Sequence, residues 1–386
     1  MDKIKDIRVK ILLTGGGTGG HVYPLISVFR SLKQIAGQKL LTIDALYLGA
    51  DGFAKEELEK EGIKVKIISA GKMRRYFSIL NFFDIFKVFF GFFQSLWLVW
   101  KFMPDVIFSK GGYGSVPVVI VGWIYHIPVF IHESDSVPGL SNKIAAKFAA
   151  RIGVSFPKAL DYFPTEKTAL VGNPIRTDLL QKAQKENGVK HFGFASDKPI
   201  ILILGGSQGS QRINDLILEI LYDSIKNNIQ ILHQTGEKNF REVVAEAKII
   251  IGNLPESYQK YYQAKSFFNE DEYALALACS DLVIARAGSG TIFELSAAKK
   301  PSILIPLPEA ASDHQRENAF AYQKAGASIV FEEKNILPNM FLEEVVNLLH
   351  DKEKLNDLGN RANMFSQQNP SENIAREIFK ILKVNL

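Results

Sequence analysis

The sequence of 386 residues predicts an α/β protein made of two Rossmann-like, doubly wound domains. Three observations carry that reading. Short apolar runs of strand length alternate with helical patterns along the whole chain, which is the signature of a parallel sheet covered on both faces. The first run, 9–14, ends in Gly15-Gly16-Gly17-Thr18-Gly19-Gly20 and is followed by a helical pattern from about Tyr23 to Ile35. After Asn173-Pro174 the plan starts again: 200–204 runs into Gly205-Gly206-Ser207-Gln208-Gly209 and then a helix through Leu221. Two such units predict two domains facing each other with a ligand cleft between them.

Between these anchors, runs at 45–48, 64–68, 106–108 and 129–131 supply further strands of the first domain. Runs at 229–233, 282–285 and 302–305, with a weaker one near 266–268, supply those of the second. The polar stretch 172–198 reads as the linker. The expected domains are 1–172 and 173–369, and a last amphipathic helix at about 370–386 is expected to pack back on the first.

Hydrophobic residues make up 47% and charged residues 23%, the profile of a folded globular protein. Lys+Arg 46 against Asp+Glu 41 gives +5, too mild for a nucleic-acid partner but enough to favour an anionic one where the charge is concentrated. A single cysteine, Cys279, leaves no internal disulfide and no cysteine-based metal site. The charged N-terminus and the short apolar run after it do not read as a signal peptide.

One stretch stands apart. Residues 77–102 carry nine of the 27 Phe and two of the three Trp. The uncharged part between Lys87 and Lys101 is 13 residues, short of the ~20 needed to span a bilayer. On a helical period Ile79, Phe82, Phe83, Phe86, Phe89, Phe90, Phe93, Leu96, Trp97 and Trp100 form one stripe, with Gly91, Gln94 and Ser95 on or near the opposite side. Lys72, Arg74, Arg75, Lys87 and Lys101 against Asp84 place +4 in the same region. A basic flank beside an aromatic face suits an anionic membrane surface. Part of the stripe is expected to be core. The part nearest Arg74, Arg75, Phe82 and Phe86 is expected to face lipid.

A strand, a Gly-rich turn and a helix N-terminus together make an anion site, because the backbone approaches the phosphate closely and the helix dipole favours negative charge. Gly15, Gly17 and Gly20 formally match the dinucleotide pattern. The acidic partner of that pattern is misplaced, however: Asp51 follows about 30 residues on instead of ~20. A second cradle at Gly205–Gly209 calls for two phosphorylated ligands, or one in each half.

These motifs carry a resemblance. Gly16-Gly17-Thr18-Gly19-Gly20-His21-Val22-Tyr23-Pro24, Lys110-Gly111-Gly112-Tyr113-Gly114-Ser115, His132-Glu133-Ser134-Asp135, Gly172-Asn173-Pro174-Ile175-Arg176, Gly205-Gly206-Ser207-Gln208-Gly209, Arg286-Ala287-Gly288 with Thr291 and Glu294, and Asp313-His314-Gln315 follow in order over most of the chain. The sequence resembles the lipid-intermediate N-acetylglucosaminyltransferases of peptidoglycan synthesis, the MurG family. The resemblance implies a GT-B fold and an inverting transfer of GlcNAc from UDP-GlcNAc. The implied acceptor is the C4 hydroxyl of an undecaprenyl-diphosphate-linked muramyl-peptide (lipid I). The implied location is peripheral, on the cytoplasmic face of the cell membrane.

The site expectations follow. His21 closes the first Gly loop and is either a packing histidine or the general base; the family pattern favours the base. Glu133 follows an apolar run, at the strand end where open sheets place ligands, and ranks beside His21. The resemblance places the acceptor diphosphate at Gly16, Gly17, Thr18, Gly19 and His21. It places the donor at Thr18, Gly19, Gly20, Asp135, Arg176, Ser207, Gln208, Thr291, Glu294 and Gln315. Asp135 stands where many family members have Asn. Thr291-x-x-Glu294 also has the spacing of a helix capping box, which competes with ribose recognition for the Glu294 carboxylate. Arg176, after a Gly-Asn-Pro turn, would meet the diphosphate charge without a metal, and no Asp-x-Asp element stands ready to hold Mg²⁺. No metal and no cofactor are expected.

Overall fold

A computed structural model describes residues 7–16, 19–50, 54–71, 79–175, 183–206, 208–252 and 254–384, with the side chains of 7, 54 and 79–86 excepted. The chain divides into two compact units, Met1–Ile175 with Gln367–Leu386, and Arg176–Ser366.

In the first unit, strands β1 (Ile7–Thr14), β2 (Leu41–Gly49), β3 (Lys64–Ile67), β4 (Val106–Ser109), β5 (Val129–Glu133), β6 (Arg151–Val154) and β7 (Thr168–Leu170) form one parallel sheet in the order β3-β2-β1-β4-β5-β6-β7. Helices α1 (Gly19–Gln38), α2 (Ala54–Lys60), α3 (Ile79–Phe102), α4 (Val116–Ile124) and α5 (Leu140–Ala145) connect them. Every residue of β4 and β5 is buried, as expected of strands covered on both faces. On one face Val22, Leu25, Phe29 and Leu32 of α1 pack with Ile374, Ala375, Ile378 and Phe379 of the chain's last helix, Pro370–Ile381. That helix joins the first unit through a close approach at Gly172. Gly172 has φ +82°, and a Cβ there would lie 2.8 Å from the Gln367 Cβ.

The second unit repeats the plan. Helix α6 (Lys185–Phe192) leads into β8 (Ile200–Leu204), α7 (Gln211–Lys226), β9 (Gln230–Gln234), α8 (Phe240–Gly252), α9 (Glu256–Gln259) and β10 (Tyr262–Lys265). Helix α10 (Glu270–Cys279), β11 (Leu282–Ala285), α11 (Ser289–Ala297), β12 (Ser302–Leu304), α12 (His314–Lys324) and β13 (Ile329–Val330) complete a parallel sheet in the order β10-β9-β8-β11-β12-β13. Helices Pro338–His350 and Lys352–Phe365 finish the unit.

Helix α3 is oriented differently from the sequence expectation. Gly91, Ser95 and Val99, at four-residue spacing, are buried, whereas Phe89, Phe90, Phe93, Trp97 and Trp100 are 51% to 61% exposed. Of the stripe residues whose side chains are described, Leu96 packs partly on the core and these five aromatics do not. The reason is steric. Gly91 sits on the backbone of Ser69, where a Cβ would come within 1.9 Å of the carbonyl oxygen, so only the small-residue face approaches this closely. Gly91→Ala is therefore expected to lower unfolding free energy by about 1–3 kcal/mol through overpacking, as read by denaturant unfolding. An unchanged midpoint would mean that α3 does not dock through this face. No described helix is long and apolar enough to cross a membrane.

Candidate active site

Both sheets reverse strand order once, between β1 and β4 and between β8 and β11, and open α/β sheets bind ligands beyond the strand ends at such points. Among the described residues, His21, His132, Glu133 and Asp135 stand near the first of these points, and Gln208, Thr291 and Glu294 follow the strands at the second. In the first unit Thr14 pairs with Ser109 and Ser109 with Ile131, so Gly15, Lys110 and His132 emerge side by side.

Close backbone packing explains the glycines. Gly112 has φ +89°, and a Cβ on it would fall 2.8 Å from the Gly16 nitrogen. The two loops therefore touch backbone to backbone, which no side chain would permit. Against them lies His21, in the first turn of α1: a Cβ on Gly16 would sit 2.9 Å from His21 Nδ1, and one on Gly112 3.5 Å from Nε2. Burial and then the charge of Lys110 pull the His21 pKa down to about 4, against the opposing pull of Asp135. The imidazole is neutral at pH 7 and able to accept a proton.

His132 and Glu133 have other work. His132 is fully buried, with Nε2 2.8 Å from the Gly172 carbonyl and Nδ1 2.6 Å from Lys110 Nζ. The Gly172 carbonyl can only accept, so Nε2 carries the proton and Nδ1 offers its lone pair to Lys110. Glu133, also buried, organises the loop after β5. Its Oε1 accepts from the Asp135 N–H at 3.0 Å, and its Oε2 accepts from the Gly139 N–H at 3.2 Å and Asn142 Nδ2 at 2.9 Å. Burial and the neighbouring Asp135 charge hold the Glu133 carboxyl well above the usual carboxylate range.

In the second unit Ala285 pairs with Leu204 and with Leu304, so the loops after β8, β11 and β12 stand together. The Gly-rich turn bends through Gly206 (φ +92°) and Gly209 (φ +77°), where a Cβ on Gly209 would lie 2.1 Å from the Thr235 carbonyl oxygen. It ends at Ser210, the N-cap of α7, and leaves Gln208 exposed. Arg286 ties this turn to the β12 exit: its guanidinium donates to Ser210 Oγ at 2.6 Å and to the Ile305 carbonyl at 3.1 Å. Gln315 Oε1 accepts from the Leu307 N–H at 3.0 Å.

The capping-box alternative for Glu294 is overturned. Helix α11 starts at Ser289 after Gly288, so Thr291 lies inside it and Glu294 is a turn too far along to reach the N-cap. The real capping box is Asn269 with Glu272, at the start of α10. Glu294 Oε2 accepts from Tyr273 Oη at 2.8 Å instead. Gly17, Thr18, Arg74, Arg75, Arg176 and Ser207 lie outside the described residues, as do the side chains of Phe82 and Phe86. Sequence reasoning assigned no role to Lys110, Asn173 or Arg286. For Arg286 the available signal was a charge directly after the fully apolar run 282–285; Lys110 and Asn173 carry no such local mark.

Comparison with known proteins agrees with this architecture. Residues 11–154 match the glycosyltransferase family 28 N-terminal domain and residues 200–378 its C-terminal domain. A protein of Clostridium botulinum named UDP-N-acetylglucosamine–N-acetylmuramyl-(pentapeptide) pyrophosphoryl-undecaprenol N-acetylglucosamine transferase is 39% identical over 97% of this chain and 99% of its own. One of the same name from Clostridium perfringens is 41% identical over 90% of this chain and 92% of its own. Among solved structures, Acinetobacter baumannii MurG superposes with a TM-score of 0.73 at 25% identity, covering 96% of this chain and 99% of that one. A UDP-GlcNAc 2-epimerase of Neisseria meningitidis reaches 0.69 at 14% identity, covering 98% and 100%, a likeness of fold alone. The chain belongs to glycosyltransferase family 28, and within it to the MurG family of N-acetylglucosaminyltransferases.

Proposed function

We propose that this protein transfers GlcNAc from UDP-GlcNAc to the C4 hydroxyl of undecaprenyl-diphosphate-linked muramyl-peptide, with inversion, at the cytoplasmic face of an anionic membrane. The observation that carries the reading is the pair of Gly-rich turns, one at the reversal point of each sheet, with a neutral histidine on the first. The names of the relatives supply the two substrates. In a single displacement the acceptor O4 attacks C1, the C1–O bond to UDP breaks, and the hydroxyl proton passes to a base. We assign that base to His21. Glu133, whose two oxygens already accept three hydrogen bonds, holds the loop bearing Asp135. The acceptor diphosphate sits on the turn Gly16–Gly20. UDP sits on the turn Gly205–Gly209, with Gln208, Thr291, Glu294 and Gln315 around it. Arg176 and the α7 N-terminus meet the charge of the departing diphosphate, and this assignment involves no metal. The exposed aromatics of α3 face the lipid.

The decisive experiment is incubation with UDP-GlcNAc, with and without a short-chain lipid-diphosphate-muramyl-peptide. Release of UDP only when acceptor is present is the expected result, and acceptor-independent turnover of the donor overturns it. A second test concerns the ribose. Glu294→Gln keeps an acceptor for Tyr273 but loses the charge, so KM for UDP-GlcNAc is expected to rise roughly tenfold or more. Stability should stay within ~0.5 kcal/mol. Lower stability with unchanged KM would mean that Glu294 serves only the Tyr273 bond.

A further inference from the structure

Among the described residues two cationic side chains are buried, Arg286 and Lys110, and the proposed reaction gives Lys110 no task. Lys110 is 2% exposed at the end of β4. Its ammonium meets His132 Nδ1 at 2.6 Å, Asn173 Oδ1 at 3.2 Å and Ser134 Oγ. Three N–H donors thus find three acceptors on three separate segments: β5, the loop after it and the loop after β7. That is the full hydrogen-bonding capacity of a charged lysine. Burial pulls the Lys110 pKa down to about 7 against the opposing pull of Glu133 and Asp135, so the ammonium is charged through the acidic range. The same group flanks the candidate base, because a Cβ on Gly15 would lie 3.6 Å from both the His21 Cβ and the Lys110 Cβ.

We infer that Lys110 is a positioning residue: a buried amine that joins the ends of β4, β5 and β7, fixes His132 in its Nε2–H tautomer and, when protonated, sets a positive charge beside His21 and Glu133. The inference about His21 as working base rests on the proposed transfer; the tautomer and the charge effect do not. The groups facing this charge are His21 from α1, His132 and Glu133 from β5, and Asp135 from the following loop, while Tyr47 of β2 and Tyr113 face each other nearby. Lys110 disfavours the protonated form of His21 and favours the ionised form of Glu133. Its removal therefore raises the proton affinity of both.

The test is nitrogen-15 NMR of the seven histidine rings in the whole protein, with Lys110→Met and Lys110→Gln as variants. The wild type should show His132 neutral with its proton on Nε2. In either variant the His21 midpoint should rise by about one pH unit or more, and the acidic limb of kcat/KM should move to higher pH with it. A wild-type His132 protonated on Nδ1 overturns the inference even if both variants fail to fold. A folded variant with an unmoved His21 midpoint also overturns it, leaving Lys110 a packing residue. Absence of acceptor-dependent UDP release by the wild type would sink the transfer reading alone, since the NMR outcomes decide the role of Lys110 without it.

Discussion

Replacement of His21 by Ala is expected to lower kcat by about 10²–10⁴-fold while leaving the KM for UDP-GlcNAc within about twofold. The imidazole stands in the first turn of α1 against the backbone of two Gly-rich loops, and most of the donor contacts, those to UDP among them, are assigned to the other unit. The pH profile separates it from its rival. A base works only when unprotonated, so activity rises with pH through its pKa. Burial and Lys110 place that of His21 at about 4, whereas burial and Asp135 push Glu133 well above the carboxylate range. An acidic limb of kcat/KM near 4 identifies His21. A limb near neutrality, absent in Glu133→Gln, transfers the role to Glu133. Glu133→Ala should also lower the melting temperature, because the N–H groups of Asp135 and Gly139 and the Asn142 amide lose their acceptors. If His21→Ala turns over normally, the catalytic assignment fails.

Much of the fold was legible because the strands that position the site are buried on both faces. Runs such as 200–204 and 282–285 are continuously apolar and coincide with β8 and β11. Three of the four edge strands were not legible, although the edge strand β3 was read at 64–68; β6, inside its sheet, was missed as well. Strand β10, Tyr-Gln-Ala-Lys, has one neighbour and polar positions, and the sequence reading placed a strand at 266–268 instead. Strands β7 and β13 are edge strands of three and two residues and were missed for the same reason. In the site, glycines could be read because a close backbone approach demands them at any distance in sequence. Lys110 could not, since its partners lie 22, 24 and 63 residues away and nothing local records them. Spacing misled at Thr291 and Glu294: a capping box counts from the helix start, and Gly288 lets α11 begin two residues before Thr291. Helix α3 exposes the limit of periodicity itself. The hydrophobic stripe was found correctly, but hydrophobicity alone does not say which face the domain takes when the opposite face is small enough to dock.

That inverted helix yields the other large effect. Trp97→Ser combined with Trp100→Ser is expected to weaken binding to anionic phospholipid vesicles by ~100-fold, taking about 1.5 kcal/mol for each ring inserted among the lipids. Both rings are more than half exposed, and Lys101 lies 5.1 Å from the Trp97 ring centroid, where its charge can meet headgroups while the ring goes below them. Phe89 and Phe93 stack edge-on at 4.7 Å one turn before, and Trp123 and Ile124 are exposed at the end of α4, whose neighbour Tyr125 donates from Oη to the Leu96 carbonyl at 3.2 Å. Exposed aromatic and aliphatic side chains thus stand on two neighbouring helices, the kind of surface that meets a membrane or a partner. Because these side chains contribute little to the core, the double variant should keep its melting temperature and its UDP-GlcNAc affinity. Gly91→Ala, on the opposite face, should do the reverse, losing stability before vesicle affinity. Raising salt should weaken the wild type further by screening Lys87 and Lys101. Unchanged vesicle binding by Trp97→Ser with Trp100→Ser would place membrane attachment on another surface, and a lowered melting temperature would show that the aromatic face is packed against protein.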